Sequence, residues 1–450
     1  MKKTLMVSVS GIRGVVGETL TPKVIEKFSS AFFRCVSPSK IVVGRDPRFS
    51  GTAFEHILVG NLLSLGCDVI RLGICPTPTV GMAVKHLNAD GGVVISASHN
   101  DLSWNALKLM NKTGRCLNVE EFQTLKKFLE EESHPYVENL SFGSEKFYTK
   151  ACQNHIDKVI DTLDVESIRA RKFTVALDSV NGAGAKITVD FLKSLGCSVL
   201  TQNCDVTKPF PRDPEPNENN LKNVSSWVEN SDCDIAFVQD PDADRLAIID
   251  PQMGFLKEEM TLALALESVL NYRKVSTPFV TNVSSTLLLD NIVKKYGVPI
   301  IKTKVGEAHV VKEMLKNDSI IGGEGNGGVI FAPTYMGRDS LVGIGLILEL
   351  LAKRKSPLRS LIESWPKFFM VKDKVSYNQN FSLLASKCEN LFSNPQKCLI
   401  DGVKYIENDM WLQLRASNTE PILRVFAEGP SEDKVKYLIR NALKILKNEE

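Results

Sequence analysis

Four short stretches carry side chains whose types and spacing could do chemistry together. The first is Ser96-Ala97-Ser98-His99-Asn100. Its Ser98 hydroxyl is flanked by His99, Asn100 and small residues, so a substrate can approach closely. The competing reading is a serine-rich turn. The second is Asp240-Pro241-Asp242-Ala243-Asp244-Arg245. Three carboxylates so close repel one another unless a cation neutralises them. Hard oxygen donors favour Mg²⁺ or Ca²⁺ over zinc. A calcium loop needs Gly at its sixth position and Glu at its twelfth; Arg245 and Pro251 stand there. Arg245 suits a phosphate oxygen bridging to the metal. The third stretch, Gly322 to Gly328, lacks the Lys-Ser/Thr of a P-loop, and its Glu324 would repel phosphates. Glu324 and Asn326 suit sugar hydroxyls better, with a plain turn as the alternative. The fourth holds Arg415, Ser417, Asn418 and Thr419, with Arg424 downstream. Guanidinium groups, hydroxyls and an amide can surround an oxyanion. A nucleophile, a cation cage, a polyol reader and an anion clamp thus stand in one chain.

Three further cations lie near these stretches. Arg13 sits among Gly11, Gly14 and Gly17 in what reads as a strand running into a glycine-punctuated loop, where backbone and guanidinium could meet an anion together. A hairpin turn with a surface arginine is the other reading. Lys108 and Lys304 follow the serine loop and the third strand–helix–strand unit as single basic residues.

The positioning elements come from an internal repeat. Lys40 to Asp46 reads as a strand ending in Asp, followed by a helix, Gly66 and the strand Asp68 to Ile70. Lys172 to Asp178 repeats the pattern, through Gly196 to Ser198-Val199-Leu200. A weaker third copy runs from Pro278 to Ile301, with Gly297 closing its helix. Three copies point to three related α/β domains rather than one large sheet. The run Gly91 to Ile95 is a short buried strand, so Ser98 should lie just past a strand end, where α/β proteins place their chemistry. Thr21-Pro22 starts a helix. Residues 119–150 read as charged and helical, and Tyr148 to Leu163 as a helix opening the second domain. Lys208 to Asn217 is a proline-rich loop, and Pro251 to Gly254 a boundary turn. After Pro366 short alternating strands precede a helix from Ser431. The expected domains are 1–150, 151–251, 252–366 and 367–450, the last a smaller α+β unit.

Composition narrows the class. The 450 residues are 43% apolar and 24% charged, as in an ordinary globular protein, and suffice for several domains. A net charge of +2 gives no case for a nucleic-acid or membrane partner. Ten scattered cysteines without a C-x-x-C pair point to reduced thiols in a cytosolic protein. The N-terminus lacks the apolar stretch of a signal peptide, and no run approaches the ~18 apolar residues of a membrane span. The expected location is the cytoplasm.

Taken in order, S-A-S-H-N, D-P-D-A-D-R, G-E-G-N-G-G and R-A-S-N-T-E-P resemble the α-D-phosphohexomutase superfamily over essentially the whole chain. The resemblance implies four domains around a central cleft, the first three sharing a mixed α/β topology. It implies that Ser98 carries a phosphoryl group, and that Asp240, Asp242 and Asp244 hold Mg²⁺ together with an oxygen of that group. Glu324 and Asn326 match sugar-hydroxyl contacts. Arg415, Ser417, Asn418 and Thr419 match a distal phosphate site. Arg13, Lys108 and Lys304 match basic residues near the reacting group, and His99 and Arg424 belong with the substrate contacts. Two departures stand out. Trp104-Asn105-Ala106 replaces the Tyr-Asn-Gly of many members, and Gly328 stands where many have His. Where that His moves a proton, this chain must manage otherwise, with Lys108 or a neighbour.

The activity implied is reversible conversion of a hexose 6-phosphate to a hexose 1-phosphate through a hexose 1,6-bisphosphate. The sugar and phosphate loops look most like the phosphoglucosamine mutase branch, with glucose or mannose phosphates as the alternative. A metal-dependent phosphatase and a non-catalytic phosphosugar-binding regulator use some of the same residues.

Overall fold

The computed structural model describes residues 5–9, 11–131, 136–354, 356–376, 381–416 and 422–447. It divides into two compact units, residues 1–265 with 326–353, and residues 266–325 with 354–450. The chain passes from one to the other between Gly325 and Asn326, inside the glycine-rich loop.

In the first unit a seven-stranded sheet is built from Met6–Ser8 (β1), Gly11–Val15 (β2), Lys40–Arg45 (β3), Asp68–Ile74 (β4), Gly91–Ile95 (β5), Trp104–Asn111 (β6) and Glu145–Phe147 (β7), in the order β1-β2-β6-β5-β3-β4-β7. β3 runs parallel to β4 and β5, while β6 runs antiparallel to β5 and β2. All five residues of β5 are buried, as its unbroken apolar run requires. The helices Pro22–Val36 and Phe49–Ser64 cover one face and close the core around Phe32, Ile41, Leu58, Val93 and Leu107. Thr21 stands at the N-cap of the first, with no side-chain capping bond.

A second, five-stranded sheet has the order β12-β11-β10-β8-β9, from Thr174–Asp178 (β8), Ser198–Gln202 (β9), Ile235–Gln239 (β10), Leu246–Asp250 (β11) and Gly254–Leu256 (β12). β10 and β11 are antiparallel, and the acidic loop is the turn between them. The helix Ser340–Lys353 in the same unit is buried along its length from Ser340 to Leu350.

The second unit contains Phe279–Asn282 (β13), Ile300–Thr303 (β14) and Ile321–Glu324 (β15), with β14 and β15 both parallel to β13. It also contains an antiparallel sheet of Phe369–Ser376 (β17), Gln396–Cys398 (β18), Val403–Glu407 (β19), Met410–Ala416 (β20) and Ile422–Gly429 (β21), in the order β17-β21-β20-β19-β18. Gly328–Phe331 (β16) belongs to the first unit. The amphipathic helix Glu432–Lys447 buries Val435, Leu438, Ile439, Ala442 and Leu446 against the antiparallel sheet.

All three strand–helix–strand repeats form, with helices Phe49–Ser64, Gly184–Ser194 and Leu287–Lys295. Each is followed by a glycine at positive φ: Gly66 at 82°, Gly196 at 79° and Gly297 at 68°. There a side chain would be strained, and the left-handed residue turns the chain into the next strand.

Three local expectations are corrected. Among the described residues of 119–150, one α-helix spans Val119–Glu130, which Asn118 and Glu121 start with a capping box, and a single 3-10 turn follows at Asn139–Ser141. Past it, β7 pairs with β4 as an exposed edge strand without apolar periodicity. Arg13 lies in strand β2, not in a loop, between β1 and β6. The turn from Pro251 to Gly254 does not end the second sheet, because β12 returns to pair with β11. No described helix is long and apolar enough to cross a membrane.

Candidate functional site

Ser98 follows β5 and is 1% exposed. Its φ is +50°, a conformation that costs a non-glycine residue roughly 1–2 kcal/mol and persists only where its surroundings impose it. The Ser98 hydroxyl donates to Asp240 Oδ2 at 2.7 Å. Asp240, Asp242 and Asp244 are all buried, and each offers an oxygen within 4.8 Å of the others. The two loops come from different sheets: the serine loop follows β5 of the seven-stranded sheet, and the acidic loop follows β10 of the five-stranded one.

The three carboxyls are not equivalent. Burial, then Asp244 and Asp242, push the Asp240 carboxyl well above the usual carboxylate range. Burial also works against ionised Asp242, but the Lys108 ammonium and the Thr77 hydroxyl outweigh it and hold that carboxyl well below the usual range. For Asp244, burial is outweighed by Arg338 and Lys108. Arg338 Nη2 lies 2.8 Å from Asp244 Oδ2, and Lys108 Nζ 3.2 Å from it. Even so, Asp242 Oδ1 and Asp244 Oδ1 are buried without a hydrogen-bond donor among the described residues. Buried carboxylate oxygens without donors, in a triad whose members each offer an oxygen within 4.8 Å of the others, are what a hard divalent cation satisfies, so the donor set fits such an ion.

The expected cations divide. Lys108 is buried and touches the triad directly. Burial alone would lower its pKa, yet Asp242 and Asp244 raise it above the ordinary lysine value, so Lys108 is an ammonium. Arg13 Nη1 donates to Asn100 Oδ1 at 2.6 Å, and its pKa falls to about 10 through burial and the neighbouring Arg245. The Arg245 amide donates to Asp240 Oδ1 at 3.1 Å, and its Nε has no acceptor among the described residues. His99 Nδ1 is 3.4 Å from Ser98 Oγ; Arg245, burial and Arg13 hold the ring well below its usual pKa, hence neutral.

In the second unit Glu324 ends β15 and is 3% exposed. Its Oε1 accepts from Asn282 Nδ2 at 3.1 Å and from the Gly306 amide at 2.9 Å, so the carboxylate is fixed in place. Lys304 follows β14 and is exposed. Arg415 and Arg424 are directly opposed on β20 and β21. Like charges so placed destabilise a ladder unless an anion sits over them. Burial and Arg424 lower the Arg415 pKa, while Asp401, 3.8 Å away, opposes. Ser417, Asn418 and Thr419 lie outside the described residues. Asn326, in the first unit, is half-buried with its Oδ1 unsatisfied among the described residues.

Several participants were missed in the sequence. Arg338 accounts for the absent His. A Cβ at Gly328 would stand 2.3 Å from Arg338 Cδ, so the arginine fills the space a larger residue would need. The signal available was the Gly-Arg-Asp-Ser run after the loop. Thr77 caps Asp242, and Arg48 holds the serine loop from below. In the Trp104-Asn105-Ala106 segment, Asn105 ties to Ser50 Oγ at 2.9 Å.

Comparison with known proteins agrees with this geometry. Residues 5–135, 153–254 and 257–368 match the phosphoglucomutase/phosphomannomutase alpha/beta/alpha domains I, II and III, and residues 378–444 match the C-terminal domain. The phosphoglucomutase/phosphomannomutase of Thermococcus kodakarensis is 36% identical over 97% of both chains. The phosphoglucosamine/phosphogalactosamine mutase of Sulfurisphaera tokodaii is 33% identical over 97% of this chain and 98% of its own. A crystal structure of a phosphoglucomutase/phosphomannomutase family protein from Burkholderia thailandensis superposes with a TM-score of 0.85 at 25% identity, covering 99% of each chain.

Proposed function

The chain belongs to the phosphoglucomutase/phosphomannomutase family, and from that premise we propose that it interconverts hexose 6-phosphates and hexose 1-phosphates through a phosphorylated Ser98. The observation that carries the reading is the Ser98 hydroxyl held 2.7 Å from one carboxyl of a buried triad whose other members keep orphaned oxygens. Glucosamine phosphate is the substrate we favour, with glucose and mannose phosphates as alternatives.

In the forward half-reaction the bond between phosphorus and Ser98 Oγ breaks while a bond forms from phosphorus to the free sugar hydroxyl. The hydroxyl proton ends on Ser98 Oγ, giving a hexose 1,6-bisphosphate and a neutral serine. The sugar then presents its other phosphate, and the same exchange runs backward. Asp240, Asp242 and Asp244, with an oxygen of the phosphoserine, would hold Mg²⁺. When bound, the ion neutralises charge on the transferring phosphoryl group. Lys108 stays an ammonium and, with Arg13 and Arg245, presents positive charge to phosphoryl oxygens. His99 and Lys304 contact substrate. Glu324 and Asn326 take sugar hydroxyls, and Arg415, Ser417, Asn418, Thr419 and Arg424 take the phosphate that is not being transferred. We assign these roles to four domains, 1–150, 151–251, 252–366 and 367–450, with the second sheet reaching a few residues past its boundary. We place the activity in the cytoplasm.

The test is kcat/KM on the 1- and 6-phosphates of glucosamine, glucose and mannose, with rapid quench to trap a bisphosphate. Interconversion with a trapped bisphosphate is expected. Release of inorganic phosphate without return transfer would replace the reading with a phosphatase, and tight binding without turnover would replace it with a regulator.

A further inference from the structure

Arg48 lies two residues beyond the repeat aspartate Asp46 and touches none of the triad carboxylates. Its side chain is fully buried. One bond goes to a carboxylate, from Nε to Asp46 Oδ2 at 2.8 Å. The other four go to main-chain carbonyls of a single turn: Nη2 to Ser98 at 2.5 Å and Asn100 at 2.8 Å, and Nη1 to Asp101 at 2.5 Å and Trp104 at 3.1 Å. Asp46 Oδ2 also accepts from Ser96 Oγ at 2.6 Å, and Ser96 Oγ accepts from the Ser98 amide at 3.0 Å. The chain of contacts therefore closes on both sides of Ser98, at its amide through Ser96 and at its carbonyl through Arg48. The Phe210 ring, from the proline-rich loop, stands 5.0 Å from the guanidinium carbon.

A buried cation usually spends its donors on carboxylates. Here four bonds converge on the path of one loop, whose serine sits at φ +50°. Only a planar five-donor fork spans four carbonyls and a carboxylate at once; an ammonium has three donors and no fork. We infer that Arg48 is a positioning residue that fixes the peptide units around Ser98, so that Oγ meets the triad with or without its phosphoryl group. The inference rests on the phosphoserine reading above. Transfer requires the reacting oxygen to stay in place through both half-reactions, and a shift of about 1 Å can cost roughly a hundredfold in rate.

The experiment follows phosphoryl uptake by Ser98 from glucose 1,6-bisphosphate in single turnover, by intact mass, for wild type, Arg48→Lys and Ser96→Ala. Circular dichroism and Mg²⁺ titration calorimetry report fold and cation site. Arg48→Lys should lower the maximal uptake rate by about a hundredfold, with the half-saturating bisphosphate concentration and Mg²⁺ affinity close to wild type. Ser96→Ala, which keeps the buried cation, should slow uptake less, by about tenfold. A folded Arg48→Lys with wild-type uptake would overturn the inference. So would a parallel collapse of rate, half-saturation, Mg²⁺ affinity and melting temperature, which marks a merely structural residue. If Arg48→Lys does not fold, Ser96→Ala decides: slowed uptake supports the inference and unchanged uptake overturns it. A wild type whose mass shows no phosphate at the outset and that takes none up removes the phosphoserine reading and this inference together, whereas equal labelling of wild type and Arg48→Lys, both starting free of phosphate, removes this inference alone.

Discussion

Around Ser98 the carboxylates already have cations: Lys108 and Arg338 on Asp242 and Asp244, with Arg245 alongside. Around Arg415 the balance is reversed, since Arg424 faces it across the ladder and Asp401 is 3.8 Å away. Two buried lysines show the same contrast. Lys108 is raised above the ordinary value because burial is outweighed by two carboxylates. Lys404, in the second unit, falls to about 7 because burial dominates, Lys302 adds to it, and Glu428 and Asp290 do not compensate. Burial penalises both ammonium groups alike; their partners set the sign of the outcome. In the first region carboxylates are paired with ammonium and guanidinium groups, yet two of their oxygens stay without a donor among the described residues. In the second, two guanidinium groups oppose each other across a ladder.

The largest test of that contrast is Ser98→Ala. Loss of a nucleophile that forms a covalent intermediate should reduce mutase activity on the order of 10³-fold or more, with circular dichroism and melting temperature near wild type. Mass mapping should find phosphate on the Ser98 peptide of wild type only. Wild-type turnover by the alanine variant would break the assignment of this region to the chemistry.

Asp242→Asn comes next. The variant should bind Mg²⁺ more weakly by calorimetry and need more of it for activity. It should also be less stable without metal, because Lys108 loses its closest counter-charge, and breaking a buried pair costs about 3–5 kcal/mol. An apoprotein that melts higher than wild type would show that repulsion within the triad outweighs its pairing with Lys108 and Arg338.

The reason these residues differ in how readable they are is spatial. Ser98 and the three aspartates each sit in one short stretch, so adjacency alone displayed a hydroxyl and a carboxylate cluster. The repeat was visible because each copy ends its helix in a glycine at positive φ. Arg48, Arg338 and Thr77 come from elsewhere: Arg48 is 50 residues from Ser98, Arg338 is 94 from Asp244, and Thr77 is 165 from Asp242. No local pattern announces a partner supplied by another element. Gly328 was legible as a missing side chain, but the arginine filling its space was not. β7 escaped because an exposed edge strand of Glu145, Lys146 and Phe147 carries no alternation. Lys404 lies in one of the short alternating strands, and nothing local announces that its Nζ donates to the Val283 carbonyl at 2.8 Å, over the Trp411 ring.

Arg415→Ala probes the positively charged region. Removing one charge-assisted contact to phosphate costs about 1.5–3 kcal/mol, so KM for the hexose phosphate should rise by roughly tenfold or more, with a smaller change in kcat. Substrate should protect the C-terminal domain of wild type from proteolysis, and protect the variant less. Unchanged KM with equal protection would place the phosphate grip elsewhere and remove the contrast between the two regions.

The last effect expected is a pH slope from Lys404, which touches stability and leaves the chemistry at Ser98 alone. Its folded pKa of about 7 lies below the ordinary 10.5, so between those values the unfolded chain binds the proton and the folded chain does not. Stability therefore rises with pH across that window, by up to about 1.4 kcal/mol per pH unit for one group. Below pH 7 both states carry the proton, and the penalty of burying the ammonium is felt in full. Raised thiol pKa values at Cys67 and Cys388 act in the opposite sense at high pH, since the folded thiols keep protons that the unfolded ones lose. The informative quantity is thus the difference between wild type and Lys404→Met, in which the cysteine contributions cancel. Methionine keeps an unbranched chain against Trp411 and loses the bond to Val283. The melting temperature of wild type should climb relative to the variant from pH 7 to 9, and the two curves should run parallel from pH 5 to 6. Parallel curves across the whole range would mean that Lys404 keeps its proton when folded, so that it resembles Lys108 after all.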